Sequence, residues 1–182
     1  MIKKVLVVLA VLVLLLIGLV AVGAFVAQTE FKVEREIVVN RPVTEVYSYA
    51  KMVRNQNEWG PWAKRDPNLK QEFRGTDGTV GFVSHWKSDN GELGEGEQEI
   101  TRLIENERVD VELRFKDPME SKNAGYLATE PVGPSQTKVK WGFTGTMPRP
   151  LNLMAAVFDF EDMIGKDYDE GLANLKRILE SR

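Results

Sequence analysis

The chain has no cysteine and a single histidine, His85, among its 182 residues. Without cysteine there is no disulfide, no thiolate nucleophile and no cysteine-ligated metal. One histidine rules out a His-rich metal site and a histidine dyad. Basic residues are also scarce: 24 Lys and Arg against 27 Asp and Glu give a formal charge of -3. No basic block offers the phosphate neutralisation on which nucleic-acid binding rests, so no nucleic-acid partner is expected. The acids Glu92, Glu95, Glu97 and Glu99 lack the Asp/Asn–Gly register of a calcium loop. Neither a metal nor a cofactor is expected.

Hydrophobic residues make up 43% of the chain, but they are unevenly spread. Val5 to Ala27 is apolar throughout, broken only by Gly18 and Gly23. As a helix it would exceed the ~30 Å of a hydrocarbon core. A run with no polar face is not an ordinary amphipathic surface helix. It reads as a membrane anchor over residues 5–27, or as a signal peptide, for which Val22-Gly23-Ala24 offers a small-residue cleavage pattern. The run exceeds the usual h-region of about 7–15 residues, which favours the anchor. Lys3 and Lys4 would then stay cytoplasmic. The expected division is residues 1–28 as a single-pass anchor and residues 29–182 as a domain outside the cytoplasm, periplasmic or extracellular.

That remainder is organised by period. Phe31, Val33, Ile37 and Val39 share one face of a strand, and Arg35 falls on the same face. Asn40-Arg41-Pro42 signals a helix start, with Val43, Val46, Tyr47 and Ala50 at helical spacing, and a second short helix is expected over Met52 to Trp59. Strands are predicted near 69–74, 79–87, 94–104, 108–115, 120–130 and 137–147, separated by turn signals such as Asp89-Asn90-Gly91 and Lys116-Asp117-Pro118. Val109, Val111, Leu113 and Phe115 alternate with charged residues, as do Val139, Trp141 and Phe143 with Lys138, Lys140 and Gly142. One face is apolar and the other wet, as in an antiparallel meander. After Pro150 a stripe of Leu153, Val157, Phe160, Ile164, Tyr168, Leu172, Leu175 and Leu179 predicts a long helix, with a bend at Gly165 as one possibility. The only large surface able to bury that stripe is the concave face of the sheet, and the space between them suits a ligand.

This order of elements and its local words resemble the SRPBCC superfamily, which includes START lipid-transfer domains and helix-grip allergens, and within it the polyketide cyclase/dehydrase-like branch. The words are Val33-Glu34-Arg35-Glu36-Ile37, Trp59-Gly60-Pro61-Trp62, Asp66-Pro67, Gly81 ahead of Trp86, and Gly94-Glu95-Gly96 leading to Ile100-Thr101. Later come Pro118-Met119-Glu120-Ser121, Thr137 to Trp141 and Gly171 to Lys176. The likeness spans residues 31–180. It implies an α+β helix-grip fold: a curved antiparallel sheet of about seven strands wrapped on the long C-terminal helix, with two short helices after the first strand; the separate N-terminal transmembrane helix rests on the apolar run alone. The likeness implies a hydrophobic cavity and no particular reaction.

Candidate lining residues follow. Trp59 and Trp62 form an aromatic lip or a cork between the short helices and the sheet. Phe82, Trp86, Tyr126, Trp141 and Phe143 line a hollow or pack a core. Met154, Phe158 and Met163 adapt to ligand shape or fill gaps. Arg35, costly in an apolar interior, anchors a ligand anion or pairs with an interior acid. Ser84 and His85 should diverge on a strand, so they form no dyad, and no catalytic residue is assigned. The leading expectation is a membrane-anchored protein that binds a lipid or other hydrophobic small molecule. The alternatives are a cyclase or dehydratase using Arg35, Tyr126 or His85, and a ligand-free interaction module of the cell envelope.

Overall fold

The computed structural model describes residues 2–89, 91, 93–117, 119–156 and 158–182. Asn90, Glu92, Pro118 and Val157, named above in turns, in the acidic cluster, in a sequence word and in the helical stripe, lie outside the described residues.

Helix α1 (Ile2–Val26) has a mean hydropathy of 3.5 over its most apolar window, and none of that window is buried. It has the length and apolarity of a membrane anchor or a signal sequence. Strand β1 (Glu30–Val39) follows. Then come helix α2 (Val43–Ala50), a 3-10 turn (Val53–Asn55), and helices α3 (Gln56–Trp59) and α4 (Trp62–Arg65). The second short helix predicted over 52–59 is thus divided, and α4 is additional. Gly60 and Pro61 separate α3 from α4, the glycine in an extended conformation that ends the helix.

Strands β2 (Lys70–Arg74), β3 (Val83–Lys87), β4 (Glu95–Ile104), β5 (Arg108–Asp117), β6 (Ser121–Gly133) and β7 (Gln136–Thr146) complete a seven-stranded antiparallel sheet in the order β1-β7-β6-β5-β4-β3-β2. Strand β3 begins four residues later than predicted, because Gly78 and Gly81 hold positive φ and turn the chain before it. A second 3-10 segment (Leu151–Ala156) leads to helix α5 (Phe160–Glu180), which Asp159 caps by accepting from the Asp162 amide at 2.9 Å. Leu153 therefore precedes the long helix, and the observed stripe begins at Phe160.

The sheet and α5 enclose the main core. Val33, Val39, Leu127, Val139, Trp141, Tyr168, Leu172, Leu175 and Leu179 are buried there. At its centre Trp141 stacks on Tyr168 with ring centroids 3.9 Å apart and an interplanar angle of 8°. Trp59 and Trp62 meet Trp141 edge-on at 4.7 and 5.3 Å. Gly171 makes this possible: a Cβ there would stand 2.7 Å from Trp141 Cζ3. A second cluster of Tyr47, Val53, Phe82, Ile100 and Val109 fills the space under α2.

Candidate functional site

The hollow predicted between sheet and long helix is present. It is a cavity of about 250 Å³ bounded by β2, β3, β4, β5, β7, α3, α4 and α5. Its apolar walls are Trp62, Leu69, Trp86, Leu93, Leu113, Phe115, Phe143, Ile164 and Tyr168. A smaller hollow of about 40 Å³ shares Val53, Gln56, Trp62, Gln98, Leu113 and Tyr168 with it and continues to Leu127 and Trp141.

Polar side chains converge on this space. Gln71, Ser84 and Gln98 occupy inward positions of β2, β3 and β4, in phase with Phe73, Trp86 and Ile100. Asn57 and Gln71 satisfy one another: Asn57 Nδ2 donates to Gln71 Oε1 at 2.7 Å, and Gln71 Nε2 returns a bond to Asn57 Oδ1 at 3.0 Å. Gln56, Ser84 and Gln98 make no side-chain hydrogen bond among the described residues. Asp167 accepts from Trp62 Nε1 at 3.2 Å and forms a two-pronged ion pair with Arg65, which fixes the Trp62 ring as one wall. Burial, and then the Asp167 charge, push the Tyr168 phenol up from its ordinary value, so it is protonated at neutral pH.

The predicted lining residues divide clearly. Trp62, Trp86 and Phe143 line the main cavity, and Trp141 lines its extension. Trp59 is fully buried behind Trp141, and Phe82 is fully buried in the second cluster. Arg35 does turn inward, but its guanidinium lies across α5, where it fills the space that a Cβ at Gly165 would need. Asp169 at 3.4 Å and Glu161 at 3.9 Å flank it, one helical turn to either side of that glycine. Its surroundings are those of a helix-surface ion pair, away from the cavity wall.

Tyr126 lies on the convex face. Its strand neighbours Asn123, Gly125, Leu127 and Thr129 fill the inward positions, and Tyr126 is opposite Asp110 and Gly142 on the wet side. Arg108 covers its ring at 3.8 Å and its hydroxyl donates to Glu34. Burial first and Glu34 second raise its pKa to about 12. Met154, Phe158 and Met163 are exposed, with Phe158 and Met163 at 53% and 56%; Met154 and Phe158 precede α5, and α5 turns Ile164 and Tyr168 to the cavity in place of Met163. Ser84 and His85 diverge as expected: Ser84 lines the cavity, whereas His85 Nε2 sits 3.2 Å from Glu95 on the opposite face.

Gln56, Asn57, Gln71, Gln98 and Asp167 are not among the predicted lining residues, and Ser84 entered the sequence reading only as half of a dyad. A signal did exist for three of them. Gln71, Ser84 and Gln98 are polar residues at strand positions whose neighbours two places away are apolar.

The convex face carries a lattice of ion pairs. Arg114 joins Glu97, Glu99 and Glu112 at 2.6–2.8 Å. Lys87 first and His85 second hold the Glu95 carboxyl down to about 2, against partial desolvation. A carboxylate lowered in the folded state stabilises the protein above its unfolded pKa and loses that contribution as pH falls through the folded one. Urea midpoints should therefore drop as pH falls from 4.5 towards 2, and Glu95→Gln should flatten that drop. An unchanged profile would show that Glu95 contributes nothing to acid stability.

The fold is shared with solved structures of low sequence identity. A protein of Nitrosospira multiformis is 22% identical with a TM-score of 0.57, covering 81% of this chain and 94% of its own. Norcoclaurine synthase from Thalictrum flavum, in complex with dopamine and hydroxybenzaldehyde, is 13% identical with a TM-score of 0.61, covering 87% and 92%. The Aha1 dimer of Colwellia psychrerythraea is 19% identical with a TM-score of 0.54, covering 82% and 96%. No curated protein matches the sequence. The family model for polyketide cyclase / dehydrase and lipid transport matches residues 30–180. With the sheet, the gripping helix and the cavity between them, that match shows that the chain belongs to this family.

Proposed function

We propose that the protein is a membrane-anchored binder of a small apolar molecule with a polar end. The observation that carries this reading is the cavity itself: an aromatic and aliphatic wall on which Gln56, Ser84 and Gln98 converge, with no side-chain hydrogen bond among the described residues. Polar groups in such a setting lose free energy unless a partner is supplied, and a ligand hydroxyl, carbonyl or amide supplies one. An apolar cavity of ~150 Å³ holds one benzene, so about 250 Å³ suits a molecule of up to roughly two rings or a short acyl chain. Dopamine and hydroxybenzaldehyde, bound by the norcoclaurine synthase of the same fold, are single-ring molecules with polar ends. Helix α1 would keep the cavity beside a membrane in which apolar ligands concentrate.

Catalysis has less support. Of the three side chains considered for acid or base work, His85 and Tyr126 face the convex side and Arg35 lies on α5. Asp167 is on the wall, but it is held by Trp62 and Arg65.

A fluorescent panel tests the reading on the full chain in detergent, running from hydroxynaphthalenes to a long-chain fluorescent fatty acid. Saturable binding of the two-ring probes, weakened by Gln98→Leu, is expected. Absence of saturable binding across the panel would count against a ligand cavity.

A further inference from the structure

Asn152, only 1% exposed, donates from Nδ2 to the carbonyls of Ala24 at 2.8 Å and Ala27 at 3.0 Å. Arg149 donates from Nε to Ala24 O at 2.9 Å and from Nη2 to Phe25 O at 3.1 Å, with its guanidinium 5.3 Å from the Phe25 ring centroid. The last carbonyls of a helix have no partner within it. Here two side chains from the β7–α5 connection provide them, so hydrogen bonds set the direction of α1 relative to the sheet.

Apolar side chains face outward around this junction. Leu151, Met154, Phe158 and Met163 are 40–56% exposed. Glu161, within the same stretch, faces Val26 and Ala27 across a groove that Arg149 also lines. Four exposed large apolar residues within one short stretch mark an interaction surface rather than the scattered exposure of an ordinary one.

The sheet register connects this surface to the cavity. Glu30 pairs with Thr146, so β1 begins and β7 ends beside α1. Carried across the sheet, the same end holds Phe115 opposite Ser121 and Trp86 opposite Gly96. Phe115 and Trp86 are cavity walls. The cavity therefore lies towards the α1 end of the sheet.

We propose that Leu151, Met154, Phe158 and Met163 form a second membrane contact beside α1, seating the domain on the lipid surface with its cavity end towards the bilayer. This rests on α1 being an anchor. Continuity with α1 selects lipid as the occupant: side chains pinned to the end of a spanning helix lie at the depth where that helix leaves the hydrocarbon. Asp159, Glu161 and Asp162 lie among them, which suits a zwitterionic surface better than an anionic one.

The absence of cysteine makes the test clean. Single-cysteine variants of the full chain carry a polarity-sensitive fluorophore at Val13, Phe158, Met163 or Ser135, the last an exposed position in the distant β6–β7 turn. Each is reconstituted into phosphatidylcholine vesicles containing lipids spin-labelled near the headgroup or deep in the acyl chain. Labels at Phe158 and Met163 should be quenched roughly twofold or more by the shallow probe, as expected for insertion of about 5–10 Å. Val13 should be quenched by the deep probe, and Ser135 by neither. Quenching at Val13 without quenching at Phe158 and Met163 overturns the contact and keeps the anchor. No quenching at Val13 overturns both. Equal shallow quenching at Ser135 means adsorption without orientation, and a requirement for anionic lipid means electrostatic adsorption. Either result overturns the proposal. Near-UV circular dichroism matching that of the unsubstituted chain confirms that each variant is folded.

Discussion

Trp141→Ala should be the most destabilising single truncation in the sheet, at about 3–5 kcal/mol. Trp141 is 7% exposed and in contact with Trp59, Trp62 and Tyr168 at once. Its removal takes away the whole indole, the stacking partner of Tyr168, and opens the wall of the smaller hollow. Gly171, whose backbone abuts the Trp141 ring, has no side chain with which to fill the gap. Urea denaturation followed by circular dichroism measures the loss. Trp141→Phe keeps one ring and should lose less than half as much. A cost below about 1 kcal/mol for Trp141→Ala would mean that the aromatic cluster does not hold α5 on the sheet.

Ile164→Trp should weaken binding strongly while leaving the fold intact. Ile164 lies in the second turn of α5 with its side chain on the cavity wall and partly exposed. An indole there enters space already available, so the overpacking penalty of ~1–3 kcal/mol for a filled core does not apply. The ligand, in contrast, loses its volume. Affinity for a two-ring probe should fall about a hundredfold, equivalent to ~2.7 kcal/mol, with the urea midpoint little changed. Probe titration and denaturation of the same sample separate the two effects. Retained affinity at unchanged stability would place the binding site elsewhere.

The elements that could be read from the sequence were those with one strongly apolar face. The alternation at Val109, Val111, Leu113 and Phe115, and at Val139, Trp141 and Phe143, located β5 and β7 and their inward sides. The spacing of Ile164, Tyr168, Leu172, Leu175 and Leu179 located α5. Strand β6 carried a weaker signal. Ala124, Tyr126 and Ala128 lie on one side, and Gly125, Leu127 and Thr129 on the other, so neither face stands out by polarity. Pairing decides the matter, because Tyr126 lies opposite Asp110 and Gly142, and a Cβ at Gly142 would collide with the tyrosine ring.

Arg35 was legible as an anomaly, and pairing with an acid was one of its two readings, but the partners could not be named. Its partners lie in α5, and the motif that receives it (an acid, a glycine and an acid at 161, 165 and 169) has meaning only once α5 is laid over β1. The polar part of the cavity was hidden for a similar reason. Gln56 and Asn57 come from α3, Gln71, Ser84 and Gln98 from three strands, and Asp167 from α5. No spacing along the chain links them, and only the register of the sheet brings them together.

Native mass spectrometry of the full chain, released from membranes in a mild detergent and compared with Ile164→Trp prepared identically, tests the cavity most directly. The account predicts that the unsubstituted protein carries a bound apolar molecule small enough for about 250 Å³, and that the variant does not. Protein reproducibly free of any adduct and unresponsive to two-ring probes, or an adduct retained in full by the variant, would contradict it.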